Sequence, residues 1–448
     1  MALFVIACIY TVIIILLFIF TFIPTPLQQK IRSILFWFMK KDGLLFSVAF
    51  LAAIILHHAN TNAISIFNSD PFSSIAITVS IAWVVLVITS HITEYLEDQL
   101  KLTENYDQLV QQYNDNRWLK NEDKAFPVIM DADLYGKKWK ITDNKESIFK
   151  LPDEIHGYEP ELLAAHKKKH NYNRLAIRVY KWGWGSDTSE KVFEIETGRT
   201  TYYNSLLTNR AMDYELKNGY TVRDLLSYGP NIPDLDKSKL SNQIGVNGFL
   251  LSNDHYICLV LRGSHLAIGK RTYGTSISGD LHTRYEMDTN NEFNVTESGI
   301  LKSIQKTYIE ELGLRQSENE TDDKILPIES IIVLAAYRDI VEGNKPQFLT
   351  YVKINKDKDT IGKEFKQRKN CNNNSRLDPD NPDGNRLIWI SMEYLINNKK
   401  SIYPSKVEKK GGLFKKRTYK MVPSASGALL MFVNWAAANQ SVWKTKDE

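Results

Sequence analysis

The 448-residue chain carries 56 Lys and Arg against 52 Asp and Glu, a formal net charge of +4. So small an excess argues against a dedicated nucleic-acid coat or a polybasic membrane patch, and no DNA partner is expected. The three cysteines, Cys8, Cys258 and Cys371, show no CxxC or Cys/His spacing, so neither a zinc site nor a disulfide framework is indicated, and the length allows one or two domains beyond any membrane part.

The N-terminal hundred residues read as membrane-spanning. Ala2 to Ile23 contains no charged residue and is closed by Pro24, matching the roughly 20 residues that cross a bilayer core. With no basic segment ahead of it and a long apolar run, a retained helix is expected rather than a signal peptide. Leu44 to Leu56 is shorter and is followed by His57 and His58. It reads either as a span with its flanks drawn in or as a re-entrant segment, and the two histidines as a helix leaving lipid or a metal or pH element. Ser74 to Ile92 is long enough to cross. Lys30, Arg32, Lys40 and Lys41 lie between the first two runs, none lies between His57 and Ser73, and lysine returns at Lys101. Three spans with the N-terminus outside place everything after about residue 93 in the cytoplasm; two spans do not.

Ile92, Tyr95, Gln99, Leu102, Tyr106, Leu109 and Tyr113 form a 3,4 seam. It predicts a helix continuing from the last span, paired with a neighbour or packed on its own domain. Residues 115–150 read as a linker with short strands, and Trp182 and Trp184 in KWGWG as a turn with exposed aromatics. Thr201 to Leu216 reads as a helix. Ile244–Leu251 and Tyr256–Leu261 are strands split by Ser252-Asn253-Asp254, a hairpin signature. Ile300, Ile304, Tyr308 and Leu312 mark a helix, Ile328–Tyr337 and Phe348–Ile354 two more strands, and Asp359–Arg368 a helix. Asn370–Pro382 reads as a loop, Leu387–Ser391 as a strand and Ala425–Ala437 as a closing apolar helix.

The segment ESGILKSIQKTYIEELGL, Glu297 to Leu314, places Glu310 and Glu311 near the end of a helix. Adjacent carboxylates can hold Mg²⁺, or with Lys306 simply decorate a solvated face. The segment resembles a Nudix box. Glu310, Glu311, Gly313, Leu314 and Tyr308 match that pattern, whereas Lys306, Thr307, Ser298 and Glu292 stand where the family has Arg, a metal-binding Glu, an earlier Glu and the first Gly. GVNGFLLSNDHYICLVLRGS and YGTSISGDL resemble the strands that lead into such a box. Together with the apolar N-terminus and TTYYNSLLTNRAMD, the chain resembles the SMODS-associated NUDIX family, similar to the transmembrane-NUDIX effectors of CBASS anti-phage systems.

The resemblance implies transmembrane α-helices (1–92), a connecting amphipathic helix (93–124), a family-specific part (125–240) and a degenerate Nudix-like domain (241–448). Its fold would be α/β or α+β, with a mixed sheet between helices. The protein would be a multi-pass protein of the bacterial inner membrane with a cytoplasmic C-terminal domain. That domain would bind a cyclic oligonucleotide made by a partner nucleotidyltransferase, oligomerise, and disrupt the lipid membrane. No cofactor is required on this reading, although Mg²⁺ at Glu310 and Glu311 remains open, with those two as the catalytic pair if the chain is a hydrolase. Two rivals stand beside it: a membrane-anchored Nudix pyrophosphohydrolase and a protein-binding scaffold. For phosphate contacts the candidates are Arg262, Arg271 and Arg338. For base stacking they are Tyr202, Tyr203 and Tyr273.

Overall fold

The structure is a computed structural model that describes residues 102–166, 173–185, 191–262, 269, 272–281, 294–315, 320–370, 386–410 and 416–444. These fall into two compact units. The smaller takes in the helix Glu159–Ala165 and residues 214–221, where Tyr214 donates its hydroxyl to Glu161 at 3.3 Å. The larger holds every element that follows.

In chain order the larger unit runs α1 (Tyr106–Gln112), β1 (Trp118–Asn121), β2 (Lys124–Asp133), β3 (Lys138–Ile148), β4 (Leu175–Trp184), β5 (Val192–Thr201) and α2 (Tyr202–Leu207). Next come β6 (Gly245–Leu251), β7 (Tyr256–Leu261), β8 (Tyr273–Gly274), β9 (Ile277–Asp280), α3 (Glu297–Leu312), β10 (Ile332–Asp339) and β11 (Lys345–Lys353). It closes with α4 (Lys358–Asn370), β12 (Leu387–Ser391), α5 (Met392–Asn397), β13 (Ile402–Tyr403), β14 (Lys406–Lys410), β15 (Lys416–Lys420) and α6 (Pro423–Ala438).

The central sheet has nine strands, ordered β1-β2-β10-β11-β6-β7-β12, with β9 on β6 and β8 on β7. It is mixed, because β11 runs parallel to β6 while β10 and β9 are antiparallel to their neighbours. Side-chain alternation along β6 separates two cores. Val246 and Leu250 join Ile300, Ile304, Tyr308 and Leu312 of α3, whereas Phe249 and Leu251 join Leu429, Phe432 and Val433 of α6. Phe249 and Phe432 stack with centroids 4.8 Å apart. The sheet β3-β5-β4 contributes Ile177, Val179, Phe193 and Ile195 to the α3 side.

Helix α3 forms where its i, i+4 apolar spacing predicts. Thr296 caps it by accepting from the Gly299 amide, and Gly313 ends it in the left-handed conformation at φ 62°. It sits unusually close to β6. The Tyr308 hydroxyl donates to the Phe249 carbonyl at 3.2 Å and shares a hydrogen bond with Thr350 at 3.1 Å. A Cβ at Gly248 would lie 2.1 Å from that hydroxyl, so glycine is required there.

The expected transmembrane architecture is corrected. No helix among the described residues is long and apolar enough to cross a membrane. The two longest, α3 and α6, have 16 residues each, about 24 Å of helix against a hydrocarbon core of about 30 Å. α3 is also charged on one side, and the apolar surface of α6 is spent on the sheet. What the structure shows is an α+β fold around a mixed sheet. The expectation of a multi-pass inner-membrane protein is overturned with it. The runs 2–23, 44–56 and 74–92, and His57 and His58, lie outside the described residues.

Of the seam expected over 92–113, residues 92–101 lie outside the described residues, and the described part is helical only from Tyr106. Residues 102–105 are not helical, and Asn105 begins α1 by accepting from the Gln108 amide at 3.2 Å. Tyr106, Leu109 and Tyr113 pack with Trp118, Ile129, Ile340 and Val341. Residues 118–133, expected as a linker with short strands, are β1 and β2 of the central sheet. The helix expected over 201–216 stops at Leu207 and passes into a short 3-10 turn, Asn209–Ala211.

The α3–β6 approach gives a test. Gly248→Ala is expected to cost about 1–3 kcal/mol by overpacking, read by urea unfolding. Because the tightest clash is with the Tyr308 hydroxyl, with Tyr308 Cζ and Thr350 Oγ1 next at 2.7 Å, Gly248→Ala combined with Tyr308→Phe should cost less than the sum of the two single changes but more than Tyr308→Phe alone. Strict additivity would sink this account of the contact.

Candidate functional site

Strand β9 gathers most of the polar side chains of interest. Its Ser278 and Asp280 share one face, two residues and so roughly 7 Å apart along the strand. At one point Arg262, just past the end of β7, donates from Nη1 to the Ser278 hydroxyl at 3.1 Å. At the other, the Arg210 guanidinium pairs with Asp280, and Lys345 Nζ reaches Asp280 at 2.9 Å and Glu342 at 3.1 Å. Gly274 lets the Arg262 side chain lie flat on β8, since a Cβ there would meet Arg262 Cδ at 3.4 Å. Arg210 also lies 5.4 Å from the centroid of the Tyr202 ring, a cation–π approach. The neighbouring ring, Tyr273, stands edge-on to Tyr419 at 5.2 Å.

Helix α3 meets the same strand from the other direction. Glu311 Oε2 accepts from the Ser278 amide at 3.1 Å. Glu297 Oε1 accepts from the Ile141 amide of β3 at 2.6 Å, which ties the start of the helix to the second sheet. Thr307 donates its hydroxyl to the Ser303 carbonyl at 2.8 Å, within its own helix. Glu310 is half-buried. These groups do not fit the Mg²⁺ set that the resemblance suggests. Glu297 and Glu311 are engaged by backbone amides, and position 307 offers a hydroxyl turned back on the helix. Among the described residues no group of three or more His, Cys, Asp or Glu could hold a metal ion.

The structure separates the candidates read from sequence. Arg262, Tyr273 and Glu311 come together around β8 and β9. Tyr202 joins them through Arg210, which sequence reasoning missed although it lies in the singled-out TTYYNSLLTNRAMD segment. Tyr203 is half-buried, with its amide donating to Asn173 at 3.0 Å. Arg271 lies outside the described residues. Arg338 belongs to the interior rather than to a ligand face. It is 2 % exposed and forks onto Asp131 at 2.6 and 2.8 Å, with a third bond to Asn344 at 3.0 Å. An arginine so occupied holds β10 to β2 and to the β10–β11 turn.

That turn completes a buried ionic group. Asp339 accepts from the Val341 amide at 2.9 Å and the Glu342 amide at 3.4 Å. Burial, reinforced by the Glu342 charge and partly offset by Lys345, pushes its carboxyl up to about 7. Lys345 remains cationic: burial would lower its value, but Asp280 and Glu342 override that and hold it above the ordinary ammonium range. Burial also pushes the Cys258 thiol up to about 12, partly opposed by Ser276, so this cysteine is an inert core residue.

No family model and no curated protein matches the chain. Among solved structures, it is similar to the crystal structure of DR0079 from Deinococcus radiodurans, with 14 % identity, a TM-score of 0.20, and coverage of 35 % of this chain and 72 % of that one. A TM-score of 0.20 is too low to establish a shared fold.

Two predictions follow from the buried charges. Arg338→Lys cannot reproduce the fork on Asp131, and Arg338→Ala leaves that carboxylate unpaired, at about 3–5 kcal/mol. Chemical denaturation should therefore rank wild type above Lys and Lys above Ala. A carboxyl raised by folding stabilises the protonated fold. The Asp339 contribution is thus complete below its ordinary value of 3.8 and is lost as pH rises through about 7. Stability should fall over that window, and Asp339→Asn, which keeps an acceptor for the Val341 amide, should flatten the fall. Identical pH profiles for the two proteins would refute the assignment.

Proposed function

We propose that the larger unit is a Nudix-like nucleotide receptor that holds a cyclic oligonucleotide without hydrolysing it. The observation that carries this reading is the double occupation of β9. One face of the strand holds Arg262 at Ser278 and Arg210 at Asp280, while the Ser278 amide is engaged by Glu311 of the box-like helix. Two guanidiniums held along one strand suit successive phosphates, for which arginine offers a planar fork. Tyr273 and Tyr202 lie beside them as aromatic surfaces for a base.

The same arrangement disfavours turnover. Nudix chemistry needs several carboxylates free to fix Mg²⁺ and orient water. Here Glu297 and Glu311 accept backbone hydrogen bonds, and Thr307 is not a carboxylate. In this reading the protein receives a signal in anti-phage defence, the ligand comes from a partner nucleotidyltransferase, and ligand binding changes the association of copies of the chain.

The test is calorimetry of the full chain against a panel of cyclic di- and trinucleotides, with and without Mg²⁺, followed by analysis of the recovered ligand. One species should bind and return intact. Arg262→Ala should weaken it at least tenfold, and Glu311→Gln should leave the ligand uncut. A ligand returned cleaved would make the protein a pyrophosphohydrolase. No binding across the panel would leave the fold serving only as a platform for protein partners.

A further inference from the structure

The small hairpin β14–β15 concentrates charge in a way the rest of the molecule does not. Its two strands, KVEKK and KRTYK, contain six Lys or Arg and one Glu. That excess is larger than the net +4 of the whole chain. The antiparallel register places like charges directly opposite each other: Lys406 faces Lys420, and Lys409 faces Arg417. Cross-strand pairs of like charge destabilise a sheet, and a stretch that merely stays solvated has no need of that register. Glu408 pairs with Lys406 at 2.9 Å. Arg417 and Lys420 are exposed and make no ion pair among the described residues. Burial and then the Arg417 charge hold the Lys409 ammonium below its ordinary value.

The ribbon is nevertheless firmly mounted. Val407 is fully buried in the α6-side core, the Met421 amide donates to Ser405 at 2.8 Å, and Met421 bridges to Tyr273. Its repulsion is therefore carried by a rigid support. The two pairs lie on opposite faces, 406/420 on one and 409/417 on the other; the second face also carries the buried Val407, and Lys409 Nζ donates to the Trp389 carbonyl at 3.3 Å. Aromatic rings are interleaved with the cations. Tyr403 lies under both Lys124 at 3.8 Å and Lys406 at 4.8 Å, and Tyr419 lies one residue from Lys420.

We propose that the β14–β15 ribbon is a second, independent binding surface, and that it takes the phosphate backbone of nucleic acid without reading its sequence. The exposed Arg417 and Lys420, with Lys409 and Lys406 in register opposite them, suit a partner carrying a dense line of negative charge. Lysines outnumber arginines five to one in the two strands, which fits point contacts to phosphates rather than bidentate readout of base edges. The aromatic interleaving favours nucleic acid over an acidic protein. This surface does not depend on the cyclic-oligonucleotide reading of β9.

The experiment is fluorescence anisotropy of the full chain with labelled 20-nucleotide single strands and 20-base-pair duplexes of two unrelated sequences, at several salt concentrations. Binding is expected at roughly 1–100 µM at physiological salt, alike for both sequences. Arg417→Glu combined with Lys420→Glu should weaken it at least tenfold. The paired neutral variant, Arg417→Gln with Lys420→Gln, should lower the salt slope by about 1.4–1.8. Both residues are exposed, and circular dichroism should confirm that the variants stay folded. Arg262→Ala should leave this binding unchanged. The proposal is overturned by no binding or by equal affinity in the ribbon variants. It is likewise overturned if Arg262→Ala abolishes binding, since the oligonucleotide would then sit at β9. Equal competition by polyglutamate, or binding to anionic phosphatidylglycerol vesicles with none to the oligonucleotides, would also reject it.

Discussion

The larger unit depends on how closely α3 approaches β6. Gly248 leaves room for the Tyr308 ring, and the Tyr308 hydroxyl is satisfied by Phe249 and Thr350 on two adjacent strands. A buried phenol left without partners would be expensive, so the helix has one favourable depth and one rotation. That rotation turns Ile300, Ile304 and Leu312 into the core. Three residues beyond Tyr308, it also brings Glu311 to the Ser278 amide. The seating of the apolar face and the position of the polar strand β9 are therefore one constraint, set by a single glycine and a single hydroxyl.

Charge in the interior follows a consistent rule. Buried cations are matched to specific carboxylates: Arg338 to Asp131, Arg223 to Asp213 at 2.7 Å, Arg199 to Asp143 at 2.7 Å, and Arg210 and Lys345 to Asp280. All but Arg223–Asp213, which are ten residues apart, join segments far apart in sequence, and an unpaired charge in such surroundings is strongly penalised. The β10–β11 turn departs from one-to-one matching. Asp280 there serves both Arg210 and Lys345, Lys345 is shared with Glu342, and Asp339 is raised by burial first and then by the Glu342 charge. The carboxylates resembling catalytic groups obey the same logic. Glu297 and Glu311 each accept a backbone amide, which ties the two ends of α3 to β3 and β9.

Much of the fold was legible because its signals are local. Strand β6 and helix α3 follow apolar periodicity, and Thr296 and Gly313 mark the ends of that helix. The heptad seam misled over 102–113 because periodicity records only which face is apolar; Asn105 begins α1 by accepting from the Gln108 amide, and Leu109 and Tyr113 serve the domain core. Arg338 misled for a related reason. An arginine near a strand end looks available, and only the arrival of β2 from two hundred residues earlier supplies Asp131. Arg210 was invisible for the converse reason, since its partner Asp280, which Lys345 also reaches, is brought to it by tertiary structure alone. The apolar N-terminal runs have the composition of spans, yet the helices that are described have their apolar surfaces committed to a sheet.

Net charge was the least informative of the sequence measures, and the structure shows why. A near-balance over 448 residues averages two populations. One is the interior set of matched pairs, which cancels residue by residue. The other is the β14–β15 ribbon, where pairing in register multiplies like charge instead of cancelling it. Electrostatic fields act over about a Debye length, roughly 8 Å at physiological ionic strength. An anion therefore responds to the local density of unpaired cations and not to the total. Arg210, matched to Asp280 beside β9, and the exposed Arg417 and Lys420 of the ribbon consequently have different uses. The first can meet an anion only by exchanging or sharing a carboxylate, which favours a selective ligand; the second meet any polyanion at no such cost.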